Sequence, residues 1–345
     1  MHYLYLAKGA LATTAIEGNT LTEEQVLQHL EGKLRLPPSQ QYLANEIDNI
    51  VAACNRIAGS VLRGDPGTLS ADEIRQFNRM VLDGLELEKD VVPGEFREHS
   101  VVVANYRGAP AEDCAYLVET MCGWLNSRTL GGNADLLPPV GYAILRSILA
   151  HLYVAWIHPF GDGNGRTARL MELKILLSAG VPMPAAHLLS NHYNQTRSEY
   201  YRALDRTSRS GGDVMPFVVY AVQGFVDGLK AQVDLIRQQQ WDVAWENHVH
   251  GAFKDNKGPT ADRRRWLVLD LSKAGSPIAR AAITDLSPRL ARAYARKTEK
   301  TLTRDLNALL GMGLLTKADE GYVANKTLIL AFLPAKARES TGGSQ

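Results

Sequence analysis

Cysteine is scarce in this chain of 345 residues: Cys54, Cys114 and Cys122 form no C-x-x-C pair and leave an odd count. That excludes a disulfide framework or a cysteine zinc site as the organising device, and a reducing cytoplasm is the expected setting. No stretch approaches the roughly 18 apolar residues of a membrane span. The opening run lacks a basic leader and is interrupted by Lys8, so no secretory signal and no membrane partner are expected. Net charge is also nearly absent, at +1, but the balance hides an asymmetry. Gly251 to Gln345 holds 17 Lys/Arg against 9 Asp/Glu, about +8, leaving about −7 in the first 250 residues, so the two parts should meet different partners. What is there in quantity is ordinary globular material, 45% apolar and 22% charged, in a chain long enough for two domains.

The most informative stretch is His158 to Arg169, His-Pro-Phe-Gly-Asp-Gly-Asn-Gly-Arg-Thr-Ala-Arg. Apolar residues at helical spacing precede it (Ile144, Ile148, Leu152, Ala155) and follow it (Leu170, Leu173, Leu176, Leu177), so the motif is a loop between two helices whose second half opens the second helix. Pro159 stops the first helix, and the glycines allow positive φ and close approach to a ligand. Free N–H groups at Gly163, Asn164 and Gly165 would face an anion. Arg166 can fork onto phosphate oxygens, and Asp162 supplies the one hard oxygen that Mg2+ takes from protein when phosphates and water supply the rest. His158 is suited to accept a hydroxyl proton near neutral pH. A dinucleotide fingerprint would need a strand in front, an EF-hand would need Glu where Leu173 stands, and a Walker loop would need Gly-Lys-Ser/Thr.

Position for position, the stretch resembles the His-Pro-Phe-x-Asp-Gly-Asn-Gly-Arg-x-x-Arg signature of the Fic family of nucleotidyltransferases. The resemblance implies a mainly α fold, a Fic helical core with a β-hairpin flap; beyond it the helices followed by a two-stranded wing separately resemble a C-terminal winged-helix domain. The Fic resemblance also implies His158 as catalytic base and Gly163, Asn164, Gly165, Arg166 and Arg169 around the phosphates. Asp162 would hold Mg2+, and Pro159 and Phe160 would pack the motif. Near the start, Thr13, Glu17 and Gly18 resemble the family's Ser/Thr-x-x-x-Glu-Gly/Asn inhibitory motif, on a helix spanning about 11–20. In the family this glutamate reaches the second motif arginine, here Arg169, and blocks seating of the γ-phosphate.

Further segments take their places around these. Thr22-x-x-Gln25 and Ser70-x-x-Glu73 read as capping boxes opening helices near Glu23 to Gly32 and Ala71 to Asp83, with a longer helix over Gln41 to Leu62 between them. From about 91 to 108 the pattern changes to a short β-hairpin, with Val101, Val102 and Val103 as one strand and a turn candidate at Asn105 to Gly108. Its counterpart in the family is the flap, which docks a target backbone by strand addition. Ala111 to Leu125 reads as a helix, then a Gly131-Gly132-Asn133 loop, and Val214 to Leu235 reads as a long apolar helix. Tyr200 and Tyr201 either line the adenine side, as similar pairs do in the family, or are core aromatics. His187 and His192 match no helical metal pair and read as structural.

Residues 1–250 are thus expected to form the Fic domain, 251–262 a linker, 263–334 a winged helix-turn-helix domain and 335–345 a tail. The last domain is expected from a helix at Arg263 to Lys273, a segment at Ile278 to Leu286, a helix at Lys297 to Leu310 and a hairpin about Asp319-Glu320. Arg292, Arg296, Lys297, Lys300 and Arg304 give it a basic face suited to phosphates. The leading expectation is a protein adenylyltransferase that moves AMP from ATP to Ser, Thr or Tyr hydroxyls of a protein, itself included, held off by Glu17. Two alternatives stay open: hydrolytic removal of AMP using Glu17, and a DNA-binding regulator with the Fic core as sensor. Homodimer formation stays open too.

Overall fold

The computed structural model describes residues 2–103, 106–127 and 137–332. The Gly131-Gly132-Asn133 loop, Asn105 of the turn candidate and the 335–345 tail lie outside the described residues. The chain divides into two compact units, Met1–Ala231 and Gln232–Gln345. The described fold is mainly helical.

The first unit is a layered set of helices: α1 (His2–Ile16), α2 (Glu23–Leu30), α3 (Gln41–Leu62), α4 (Ala71–Val81), α5 (Cys114–Asn126), α6 (Pro139–Ile157), α7 (Asn164–Ser178), α8 (Met183–Ala186), α9 (Leu188–Gln195) and α10 (Arg197–Ser208), followed by α11 (Met215–Ala252), which begins here. Its core joins residues from every layer, among them Ala10 and Ile16 of α1, Ile47 and Ile50 of α3, Phe77 of α4, Leu152 of α6 and Met171 of α7. Thr22 and Gln25 form the expected capping box in full at α2. At α4 the box is half formed. Ser70 accepts from the Glu73 N–H, but the Glu73 carboxylate is drawn instead to Lys174 at 2.5 and 2.6 Å. Lys174 is buried, so its charge requires that partner together with Asp65 at 3.2 Å.

One sequence expectation is corrected by α6. By length and composition this helix is apolar enough to cross a membrane. Its apolarity has a different cause in the fold, since it lies against α5 and α7 with Ile148, Ala150, Leu152 and Val154 buried. The hairpin is also shorter than the 91–108 span suggested. Strands β1 (Val102–Val103) and β2 (Tyr106–Arg107) pair antiparallel, Val102 with Arg107 and Val103 with Tyr106, so Tyr106 and Arg107 belong to a strand and not to a turn. The Tyr106 hydroxyl donates to the Trp156 carbonyl at 2.8 Å, which fixes that strand on the end of α6.

The second unit contains the later part of α11, then α12 (Pro259–Leu271), a 3-10 turn at Arg280–Asp285, α13 (Pro288–Tyr294), α14 (Glu299–Gly311), and strands β3 (Leu315–Ala318) and β4 (Gly321–Ala324). The strands pair antiparallel from Leu315 with Ala324 to Ala318 with Gly321, and Ile278 bridges to Tyr322. Trp245, Val249 and Phe253 are buried in this unit's core with Leu267, Leu306 and Leu309. The break expected at 251 therefore falls earlier, because residues read as the end of the first domain supply apolar surface to the second. Only 253–258 separates α11 from α12. Helix α13 was not anticipated from the apolar pattern, which a helix of 7 residues barely establishes. Its signals are local ones: Ser287 accepts from the Leu290 N–H at 3.2 Å, and Pro288 stands in the first turn.

Candidate active site

The loop between α6 and α7 is held from inside. The Asn164 side chain accepts from the Phe160 N–H at 2.9 Å and donates to the Phe160 carbonyl at 2.8 Å, so its amide is spent on the loop and only its backbone faces outward. Asn78 of α4, fully buried, donates to the Asp162 carbonyl at 2.8 Å and accepts from the Gly94 N–H at 2.9 Å. Phe160 is buried, as the packing role expected. Gly163, at φ 76°, is the residue before α7, where a side chain would meet Asn78 and Leu82. The helix N-terminus that follows, with its unpaired N–H groups and positive dipole end, suits an anion.

His158 closes α6 in the left-handed region at φ 49°, the one non-glycine residue at positive φ among the described residues. That conformation costs an L residue roughly 1–2 kcal/mol. Arg97 offsets it. Its buried guanidinium donates to the carbonyls of His158 at 2.7 Å, Ile157 at 3.3 Å, His99 at 2.6 Å and Ala109 at 2.5 Å. Burial lowers the His158 imidazole from its usual 6.5 to about 4, with the Arg97 charge acting in the same direction against a backbone hydrogen bond to Ala155 and the carboxylates of Glu17 and Asp162. The ring is thus neutral at physiological pH and able to accept a proton.

Glu17 stands just past the end of α1. Gly18, at φ 110°, gives the chain its turn, with Asn19 N–H bonded to Thr14 O and Gly18 N–H to Ala15 O in the manner of a Schellman cap. The Asn19 side chain fastens the turn to α3 through the Leu43 carbonyl at 2.9 Å and Glu46 at 2.8 Å. Glu17 is so aimed at Arg169 of α7, which donates to Glu17 Oε1 at 2.5 Å, to Thr13 Oγ1 at 2.5 Å and to the Thr13 carbonyl at 2.9 Å. Desolvation works to raise the Glu17 carboxyl, and Arg169, with Arg166 and Arg197 beyond, outweighs it and holds the group below its ordinary range. The remaining Arg169 nitrogen, Nη1, is buried without a partner among the described residues.

A cavity of about 230 Å3 opens here, and its lining includes Glu17, His158, Asn164, Gly165, Tyr200 and Tyr201. Asp162, Gly163, Arg166 and Arg169 are outside that lining. Arg166 is buried and engaged, with Glu46 at 3.2 Å and Asp162 at 3.3 Å. Tyr200 is buried, with its hydroxyl 2.9 Å from His151 Nε2, and also forms cavity wall. Tyr201 is 43% exposed. Of the flap residues, Val102 is exposed and Val101 accepts from the Gly108 N–H at 3.1 Å, but it is Tyr106 that reaches the cavity. His187 is buried among packing groups, as read.

Several residues of the site were not found from sequence: Glu46, Asn78, Tyr106, His151 and Glu172. His151 and Glu172 face each other at 3.1 Å in the core. A histidine and a glutamate inside otherwise apolar helical faces were the available signal. Glu46 and Asn78 carried none, because a polar residue on an amphipathic helix usually faces solvent.

Residues 68–176, which hold the loop and the helix pair around it, match the Fic/DOC family. More particular likenesses follow. The chain is 29% identical over 231 residues to protein adenylyltransferase fic-1 of Caenorhabditis elegans, covering 65% of this chain and 42% of that protein. It is 34% identical over 206 residues to protein adenylyltransferase Fic of Drosophila virilis, covering 60% and 38%. The chain therefore spans about two fifths of the length of these curated relatives. In fold it is similar to a Fic family protein from Desulfovibrio desulfuricans G20, at TM-score 0.54 and 21% identity, covering 92% of this chain and 82% of that one.

Replacing Thr13 by Val strands the buried Arg169 Nε–H, at a cost of about 1–3 kcal/mol. The expected result is a lower unfolding midpoint for Thr13→Val and parental stability for Thr13→Ser, measured by denaturant titration. Equal stability of all three would contradict the assigned hydrogen bond.

Proposed function

We propose that the chain is a protein adenylyltransferase held in an inhibited state by its own Glu17. The observation that carries this reading is the meeting, around one cavity, of His158, the α7 N-terminus at Asn164 and Gly165, and Glu17, whose carboxylate is paired behind the cavity lining with Arg169. The names of the relatives support it.

In this reading ATP lies with its phosphates toward the Asn164 and Gly165 amides; the Gly163 N–H, expected to be free, donates to Asp162 Oδ1 at 2.5 Å instead. His158 takes the proton of a Ser, Thr or Tyr hydroxyl, and the freed oxygen bonds to the α-phosphorus. The bond from that phosphorus to the β-bridging oxygen breaks, and pyrophosphate leaves with the electron pair. Backbone N–H groups at the helix N-terminus hold the charge that gathers on the phosphates, and Arg166 joins them once its carboxylate partners yield. The Asp162 carboxylate is half exposed at the loop and accepts from Arg166 and the Gly163 N–H; as a hard oxygen donor it would hold Mg2+ together with phosphates and water once Arg166 turns to the phosphates. When bound, that ion supplies further positive charge to the phosphate oxygens. The exposed β1 edge at Val102 offers a backbone for strand addition by the target.

Glu17 inhibits by occupying Arg169 and by placing negative charge where the outer phosphates would go. Incubation with α-labelled ATP should therefore label protein in Glu17→Gly far more than in the parent, and not in Glu17→Gly/His158→Ala. The rate should hold as pH is lowered towards about 4, since the base stays neutral until then. Label that persists without His158 would overturn the mechanism. If Glu17 instead orients a water for AMP removal, Glu17→Gly will fail to release label from a pre-modified target.

A second reading, for residues 263–332, is a winged helix-turn-helix that binds duplex DNA. Arg292, Arg296, Lys297, Lys300 and Arg304 are exposed, and none is in an ion pair among the described residues. The full chain should bind duplex DNA with an affinity that falls steeply with salt, and Lys300→Glu/Arg304→Glu should abolish it. Absence of binding at low salt would reject this reading.

A further inference from the structure

Arg97 is bonded to both feet of the flap and to the end of α6. Its guanidinium meets His99 O before the hairpin and Ala109 O after it, and Ile157 O and His158 O at the helix terminus. The main chain repeats the link, with Arg97 N–H donating to Pro159 O at 2.9 Å and Ala109 N–H to Ile157 O at 3.3 Å. Among the described residues no carboxylate pairs with the Arg97 side chain, and its hydrogen bonds go to carbonyl oxygens. A helix C-terminus leaves such oxygens unpaired and gathers negative potential, so a buried cation is well matched there. A lysine would reach fewer of these oxygens, because one ammonium cannot span acceptors on three segments as a planar fork can.

We propose that Arg97 is the positioning residue of the transferase, holding His158 in its left-handed conformation and making flap seating and base alignment one structural event. This rests on His158 being the base. It adds that the flap is more than a docking edge. A movement of either foot pulls on the same guanidinium that fixes the His158 carbonyl, so a substrate backbone that settles the flap also settles the base. Gly108 fits this arrangement, since a Cβ there would press on the Arg97 guanidinium and on the His158 side chain.

The test uses the full chain carrying Glu17→Gly, with Arg97→Gln and Arg97→Lys added singly. Arg97→Gln should lower kcat for label transfer about 10²-fold, the scale of a misplaced catalytic group. Nucleotide affinity should be unchanged, and Arg97→Lys should recover part of the loss. Independently of activity, amide hydrogen exchange at Gly108, Ala109 and His158 should rise together in Arg97→Gln, with the remaining helices protected as in the parent. Faster exchange in the flap alone, or a loss of kcat matched by an equal loss of nucleotide affinity, would overturn the proposal. A parent Glu17→Gly protein that transfers no label would fail the base assignment, while the exchange measurement would still decide the coupling. If Arg97→Gln does not fold, Arg97→Lys carries the same comparison.

Discussion

One buried guanidinium organises the site. Arg169 is 3% exposed, and three of its hydrogen bonds go to a single turn of chain around Thr13 and Glu17. A charge so enclosed must be paired, and removing its partner leaves a costly orphan. Glu17 is that partner in the protein alone, and a phosphate is the other anion able to take its place. The unpartnered Nη1 shows the arrangement is not saturated. The inhibition proposed for Glu17 would be an exchange between two anions at one cation, with no need for the helix to leave.

That last point comes from packing. Ala7, Ala10 and Ile16 of α1 are fully buried in the core of the first unit, so the segment bearing Glu17 is part of the fold and not an appendage laid over it. Glu17 itself lies beyond the helix end, with its side chain 31% exposed toward the cavity. Rotation of the Glu17 side chain removes the carboxylate from Arg169 and leaves its two hydrogen bonds to Thr13 in place. The same turn reaches the other motif arginine by a second route, Asn19 to Glu46 to Arg166. Both arginines of the signature are therefore engaged by carboxylates, Glu17 directly and Glu46 of α3, that the turn at the end of α1 carries or touches.

Much of this was legible in the sequence because its causes are local. The His158 to Arg169 loop, the capping box at Thr22 and the turn at Gly18 each follow from neighbouring residues. The bounds of α3 were read as found, Gln41 to Leu62. Long-range pairings were not legible. Glu73 looked like half of a capping box until Lys174, a hundred residues on, claimed its carboxylate. The domain boundary was misread because a Gly-Pro-rich segment marks the end of a helix and not which core that helix feeds. Asn164 was read for its backbone N–H, and the clamp that its side chain forms on Phe160 had no signal in the sequence. The network around Arg97 was invisible for the same reason, since its acceptors are backbone carbonyls and carry no residue signature.

The central claim is that Glu17 and the outer phosphates compete for Arg169. Calorimetric affinities of the parent and of Glu17→Gly for AMP and for a non-transferable ATP analogue test it most directly. Competition predicts that Glu17→Gly tightens binding of the triphosphate and leaves that of AMP unchanged. An equal change for both nucleotides, or none for either, would contradict it.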